Sequence, residues 1–165
     1  MIRRQYKFKV KSPFFMKDDI EIIQRHQEFI KTICENEKIY TLTKEEYYSL
    51  SYTNKYQDEE GNPIQLLCVW SKKSYTTICQ NEEWKNYKIE EINLIDFIEN
   101  WCIGLDSNGM MAGTEFDQNL YGYEADPLEL ILEIIEYLKI IKKELQLTHY
   151  KNLNDLAKKI KEVLG

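Results

Sequence analysis

The chain has 165 residues, of which 43% are hydrophobic and 13% aromatic, and its formal net charge is −6. That composition suits one globular domain with a sizeable core and excludes intrinsic disorder, which requires low hydrophobicity together with charge. No apolar run reaches the length of a membrane-spanning helix.

Arg4 to Lys11 reads as a strand, with Tyr6, Phe8 and Val10 on one face and Lys7, Lys9 and Lys11 on the other, a pattern suited to a guarded edge. After Pro13, Asp18 and Asp19 mark a helix start, and Ile22, Ile23, His26, Phe29, Ile30 and Ile33 follow at helical spacing as far as Asn36 to Lys38. Lys38 to Leu42 predicts a short strand, and Tyr47 to Thr53 another with imperfect alternation. Asp58 to Pro63 is a turn leading into Ile64 to Trp70, an apolar and therefore central strand. Ser71 is placed to cap a short helix through Gln80, Trp84 and Tyr87 fall in the next connection, and Ile89 to Asn93 predicts a strand.

Asn93 with Asp96 resembles a capping box opening a helix through Phe97, Ile98 and Trp101. Asp106 to Gly109 turns the chain into Met110 to Phe116, which forms a hairpin with Leu120 to Glu124 across Asp117, Gln118 and Asn119. Asp126, Pro127 and Glu129 give a helix start with cap, N1 proline and N3 acid. Its apolar positions continue through Leu138, Ile141 and Leu145, and Lys142 and Lys143 oppose its dipole. Asn152 and Asp155 open a last helix with Leu153, Leu156, Ile160 and Val163 on one stripe. The order predicts an α+β (or mixed α/β) single domain, a mixed sheet with helices packed against it. The core spans about residues 18–146, with the first strand and the C-terminal helix as additions.

Charge is placed unevenly. Positions 18–138 carry 25 Asp and Glu against 9 Lys and Arg; positions 1–17 hold six basic residues and no acid, and positions 139–165 seven basic and three acidic. An acidic body between basic ends bears on partners, and it disfavours nucleic acid because phosphates are repelled. The opening residues alternate Lys with apolar side chains and form no secretory signal, so a cytoplasmic location without membrane contact is expected. Cys34, Cys68, Cys79 and Cys102 lack metal or redox spacing and are expected to be buried reduced thiols.

Chemistry-bearing motifs are scarce. His26 lies on the apolar face of its helix and reads as a satisfied core histidine before a general base; Cys68 reads as a buried thiol before a nucleophile paired with His26. No phosphate-binding glycine loop, calcium loop or zinc spacing occurs, so no cofactor, no metal and no catalytic residue is assigned. What remains for recognition is Asp58, Glu59, Glu60, Glu82, Glu83, Glu90 and Glu91 around Trp84. In its polar connection, Trp84 is either an exposed interface anchor or a lid folded back on the core.

Arg25 with Phe29-Ile30, Ile39 to Leu42, Gly61 before Leu67 to Trp70, Cys79, Trp84 and Tyr87 fall in a familiar order. Phe97 with Trp101, Gly109, and Asp126-Pro127 extend it. Over residues 25–138 the chain resembles the bacterial family called domain of unknown function 2750. The resemblance implies a small bacterial α/β domain and assigns no activity or catalytic residue. A fainter likeness of element order is to the enhanced-serine-sensitivity protein family.

The expected function is non-catalytic binding of a basic protein by an acidic surface, an immunity-type or antitoxin-like role being one form of it. The alternative is a small-molecule-binding or enzymatic domain with a pocket near Trp84. Homo-oligomerisation stays open.

Overall fold

The computed structural model describes residues 2, 4, 8–10 and 19–165. Helix α1 (Asp19–Asn36) buries His26, Phe29, Ile30, Ile33 and Cys34, the stripe its spacing predicts, and stops where Glu37 turns to φ 56°. Asp18, the other expected start residue, lies outside the described residues. Strand β1 (Lys9–Val10) precedes α1; β2 (Lys38–Lys44), β3 (Tyr47–Tyr48), β4 (Leu50–Gln57) and β5 (Pro63–Val69) follow it.

The strands form two hydrogen-bonded groups, β3-β2-β6 with β6 at Lys88–Asn93, and β1-β4-β5-β7-β8 with β7 at Met111–Thr114 and β8 at Tyr123–Ala125. Among the described residues every pairing is antiparallel except β5 with β7. A Tyr40–Trp70 bridge joins the groups through two backbone bonds of 2.8 Å, closing them into a half-barrel. The chain passes from one group to the other at Ser49, whose N–H donates to Leu42 (3.0 Å) and whose carbonyl accepts from Cys68 N–H (2.9 Å). This change of partner breaks the period of two, which is why Tyr47 to Thr53 alternates imperfectly.

Strand β5 has neighbours on both sides and apolar contacts on both faces. Leu67 and Val69 join the main core under α1 and α5 (Pro127–Ile140), while Ile64, Leu66, Cys68 and Trp70 join a second cluster with Trp84, Met111 and Phe116. Both faces being buried accounts for its continuous apolar run. Phe116 fits only because glycine lies beneath it: a Cβ on Gly122 would come within 2.1 Å of its ring.

Asn93 caps the next helix as expected, its side chain accepting from Asp96 N–H at 2.8 Å. That helix has α-helical ends, α3 (Leu94–Asp96) and α4 (Ile103–Ser107), around a π-helical segment, Phe97–Cys102, where an uninterrupted helix is predicted. The wider turn, one residue longer than an α turn, carries Cys102 into the core five positions after Phe97 and leaves Trp101 half-buried against Tyr48. Asp126 caps α5 through Leu128 N–H (3.0 Å) and Glu129 N–H (3.4 Å), with Pro127 at N1. Helix α6 (Leu153–Leu164) starts at Asn152, which accepts from Asp155 N–H, and buries Leu153, Leu156, Ala157 and Ile160.

Several expectations are corrected. Of the strand predicted over Arg4 to Lys11, the described residues show Lys9–Val10, paired with Gln57 and Tyr56, and Val10, expected on the covered face, is 57% exposed. Tyr6, Lys7 and Lys11 lie outside the described residues. Helix α2 (Lys73–Ile78) begins after Lys72 without a side-chain cap, since the Ser71 hydroxyl is committed to Glu115. Strand β8 starts at Tyr123 because Leu120 stands at φ 63°. Helix α5 ends before Leu145: Lys142 takes φ 55° and Lys143 N–H bonds Leu138 carbonyl at 2.9 Å. The Lys143 ammonium then serves the other helix, donating to the Cys34 and Glu35 carbonyls of α1 at 3.0 Å each.

Candidate binding cleft

A cleft of about 660 Å³ opens between α1, α2 and the loop that leaves β7. Helical spacing puts Glu21, Arg25, Glu28 and Thr32 on one face of α1, and the same periodicity turns Tyr75 and Ile78 of α2 toward it. The floor comes from Glu115, Phe116 and Asp117. Lys72 follows β5 and Glu115 follows β7, so the cleft lies beyond the carboxyl ends of the single parallel strand pair. Open α/β sheets place ligand sites there, because the connections diverge to opposite sides.

Glu115 is the central side chain. It is buried, stands at φ 52°, and accepts from Ser71 N–H and Ser71 Oγ, both at 2.7 Å. Its backbone N–H reaches Val69 carbonyl at 3.0 Å, so the carboxylate ties the ends of β5 and β7 together. Burial raises its pKa, opposed by the two Ser71 bonds and by the charges of Lys72 and Arg25. A carboxylate raised above its unfolded value contributes stability that is present at acid pH and is lost as pH rises through the folded pKa. Glu115→Gln is therefore expected to melt at or above the wild-type temperature at pH 7–8, the margin closing toward pH 4. Melting curves across that range check it, and a Gln variant less stable at neutral pH would contradict the burial argument.

Arg25 steadies the roof, donating to Tyr121 carbonyl at 3.1 Å, with Asp117 3.8 Å away. Asp117 in turn shapes the loop through Asn119 N–H (2.8 Å) and Tyr121 N–H (3.1 Å), the turn its sequence predicts.

The acids singled out in the sequence do not form one site. Asp58 holds its own turn, accepting from Glu60 N–H and Asn62 N–H, and these bonds lower its pKa. With exposed Glu59 and Glu60 it lies before the start of β5, whereas Glu90 and Glu91 pair with Thr41 and Tyr40 beside Trp70, beyond the other end. Seven residues of strand, on the order of 20 Å, separate the groups. Glu82 and Glu83 are exposed, and Glu91 faces Lys38 at 3.7 Å. Trp84 itself is 5% exposed and packs edge-to-face on Trp70, so it is the lid on the second core and its ring is closed to a partner. Trp84 does not line the cleft. Reasoning from sequence passed over Glu115, although a lone acid closing the run Met110 to Thr114 was a visible signal.

His26 acquires companions that its sequence neighbours do not suggest. Nδ1 lies 2.7 Å from Thr114 Oγ1, Nε2 lies 3.0 Å from Glu133 Oε2, and the ring stacks on Tyr123 at 3.9 Å. The order hydroxyl, imidazole, carboxylate matches a nucleophile–base–orienter chain. Thr114, however, is 1% exposed and lies outside the cleft lining. The chain of bonds clamps α1, β7 and α5 together. All four cysteines are buried free thiols; burial pushes Cys34 up to about 12 and Cys79 up to about 11, and raises Cys68 and Cys102 as well. None is poised as a thiolate. Among the described residues no group of His, Cys, Asp and Glu is placed to hold a metal ion, and no helix is long and apolar enough to cross a membrane.

Fold and cleft together define a single small α+β domain with a half-barrel sheet and an open groove at its parallel strand ends. A family model described as "Protein of unknown function (DUF2750)" matches residues 26–134, and the chain belongs to that family. Neither a curated protein nor a solved structure matches it.

Proposed function

We propose that this protein is a non-catalytic binding domain that takes a segment of a basic protein into the cleft between α1, α2 and the β7–β8 loop. The supporting observation is the composition of that cleft. The carboxylates Glu21, Glu28, Glu115 and Asp117 outnumber the cations Arg25 and Lys72, around apolar walls of Tyr75, Ile78 and Phe116. Tyr75 and Ile78 are exposed in the free protein, so a guest that covers them gains apolar burial, while the acids select a cationic one. Masking a cationic toxin in the manner of an immunity protein is one form of this reading. A second reading, a small apolar cation in the same place, is favoured by the volume, since small-molecule sites run from about 300 to 1,000 Å³.

The test begins with capture from native extract at low salt and proceeds to titration of the purified partner. A basic protein bound at one-to-one stoichiometry is expected. Glu21→Lys/Glu28→Lys should weaken it about tenfold or more, mainly through a slower association rate with a flatter salt dependence. Binding unaffected by the double reversal would remove the cleft from the interaction. Capture of a small cation alone would favour the second reading.

A further inference from the structure

Another concavity, of about 420 Å³, opens between the strands and the helix that runs from α3 to α4. The helix contributes Asn100, Trp101, Gly104, Leu105 and Asn108, the spacing of a single helical face, and the strands contribute Tyr48, Leu50 and Leu67. Leu50 pairs in register with Leu67, so the two share a face of the sheet. Leu67 is 3% exposed and Leu50 36%, which means that the helix leaves the main core uncovered at this margin.

Gly104 stands in the middle of the helical face. It lies within α4, where glycine is less stable than alanine, and a Cβ built on it meets no atom within 4 Å. Neither backbone conformation nor crowding calls for glycine here; what its missing side chain provides is the room itself. The aromatic walls are already set. Tyr48 and Trp101 meet at 86° with ring centroids 5.4 Å apart, and the Trp101 indole N–H donates to Asp96 at 3.0 Å. A planar ring laid in that corner stacks on one of them and meets the other by its edge. None of the lining residues is charged, so an ionised guest would lose hydration without gaining a counter-charge. Asn100 and Asn108 donate amide N–H groups to Asp96 (2.6 Å) and to the Gly104 carbonyl (2.7 Å), and their amide oxygens accept from no donor among the described residues.

We propose that this groove binds a small uncharged aromatic molecule bearing an N–H or O–H group. Its ring lies over Gly104 against Tyr48 and Trp101, and its donor reaches the amide oxygen of Asn100 or Asn108. The volume suits one or two fused rings, toward the lower end of the range of about 300–1,000 Å³ for small-molecule sites. The groove shares no residue with the cleft between α1 and α2, so the two sites stand or fall separately.

Indole is the probe, and the readout is the side-chain N–H signals of the three tryptophans in a nitrogen–proton correlation spectrum. Indole should move the Trp101 signal, assigned through Trp101→Phe, saturably and with a dissociation constant below about 1 mM. The signals of Trp70 and Trp84, which belong to the second cluster, should stay in place. N-methylindole, which lacks the donor, and cyclohexylmethanol, which lacks the π face, should each bind at least about threefold more weakly. Gly104→Leu, which fills the groove, should weaken indole by about tenfold or more. Gly104→Ala should raise the melting temperature by about 2–4 °C, as expected where a helical glycine has free space around it. A Trp101 signal unmoved at about 10 mM indole, equal binding of the three compounds, or binding indifferent to Gly104→Leu would overturn the site. So would a Gly104→Leu chain that fails to fold, since the space over Gly104 would then not be free.

Discussion

Trp70→Ala is expected to cost about 3–5 kcal/mol of unfolding free energy, a large part of the roughly 5–15 kcal/mol available to a domain of this kind. Trp70 is fully buried, and its Nε1–H donates to Phe116 carbonyl at 2.9 Å. Its backbone makes the bridge that joins the two strand groups, and its ring supports Trp84. Truncation opens a cavity beneath both sheets and removes a donor from the loop that floors the cleft. Denaturant titration followed by circular dichroism would measure it. Trp84→Phe, which keeps an aromatic ring at the lid, should cost less than half as much. A loss below about 1 kcal/mol for Trp70→Ala would mean that the half-barrel does not depend on this junction.

His26→Ala should cost about 2–4 kcal/mol, because it removes a stacked ring and leaves Thr114 Oγ1 unpaired in the core. Thr114→Val should cost about 1–2 kcal/mol, by leaving Nδ1 without its partner. The two are in contact, so the double variant should fall short of their sum by about 1 kcal/mol. Strict additivity would show that the 2.7 Å contact contributes nothing. Should partner binding persist in His26→Ala at temperatures where it is folded, the clamp is structural, as its burial indicates.

Much of the architecture was legible because it rests on local rules. Asp126-Pro127-Leu128-Glu129, Asn93 with Asp96, and Asn152 with Asp155 announce helix starts through side chains that satisfy nearby backbone N–H groups. The apolar run of β5 announces a strand covered on both faces, and Asp58 and Asp117 announce turns by bonding their own backbone. Legibility failed where a residue's partner is remote. Ser71 looked like a cap and is bound to Glu115, and Lys143 looked like a dipole partner of its own helix and serves α1. Trp84 sat in a polar stretch and is buried by Trp70, fourteen positions earlier.

The candidate site was less legible for the same reason. Surface acids can be counted along a chain, but a cleft exists only where separate elements leave a gap, and here α1, α2 and the β7–β8 loop come from three distant stretches. By itself the sequence determined the α+β class, the family, the cap positions and the charge contrast between body and ends, since each depends on composition or on neighbours within a few residues. Tertiary structure alone decided which acids meet, that His26 joins Thr114 to Glu133, and that Arg4 pairs with both Asp106 and Asp126. Those contacts span 88 to 122 positions, and pairings of that range are selected by the packing of the whole sheet against its helices, which no local pattern encodes.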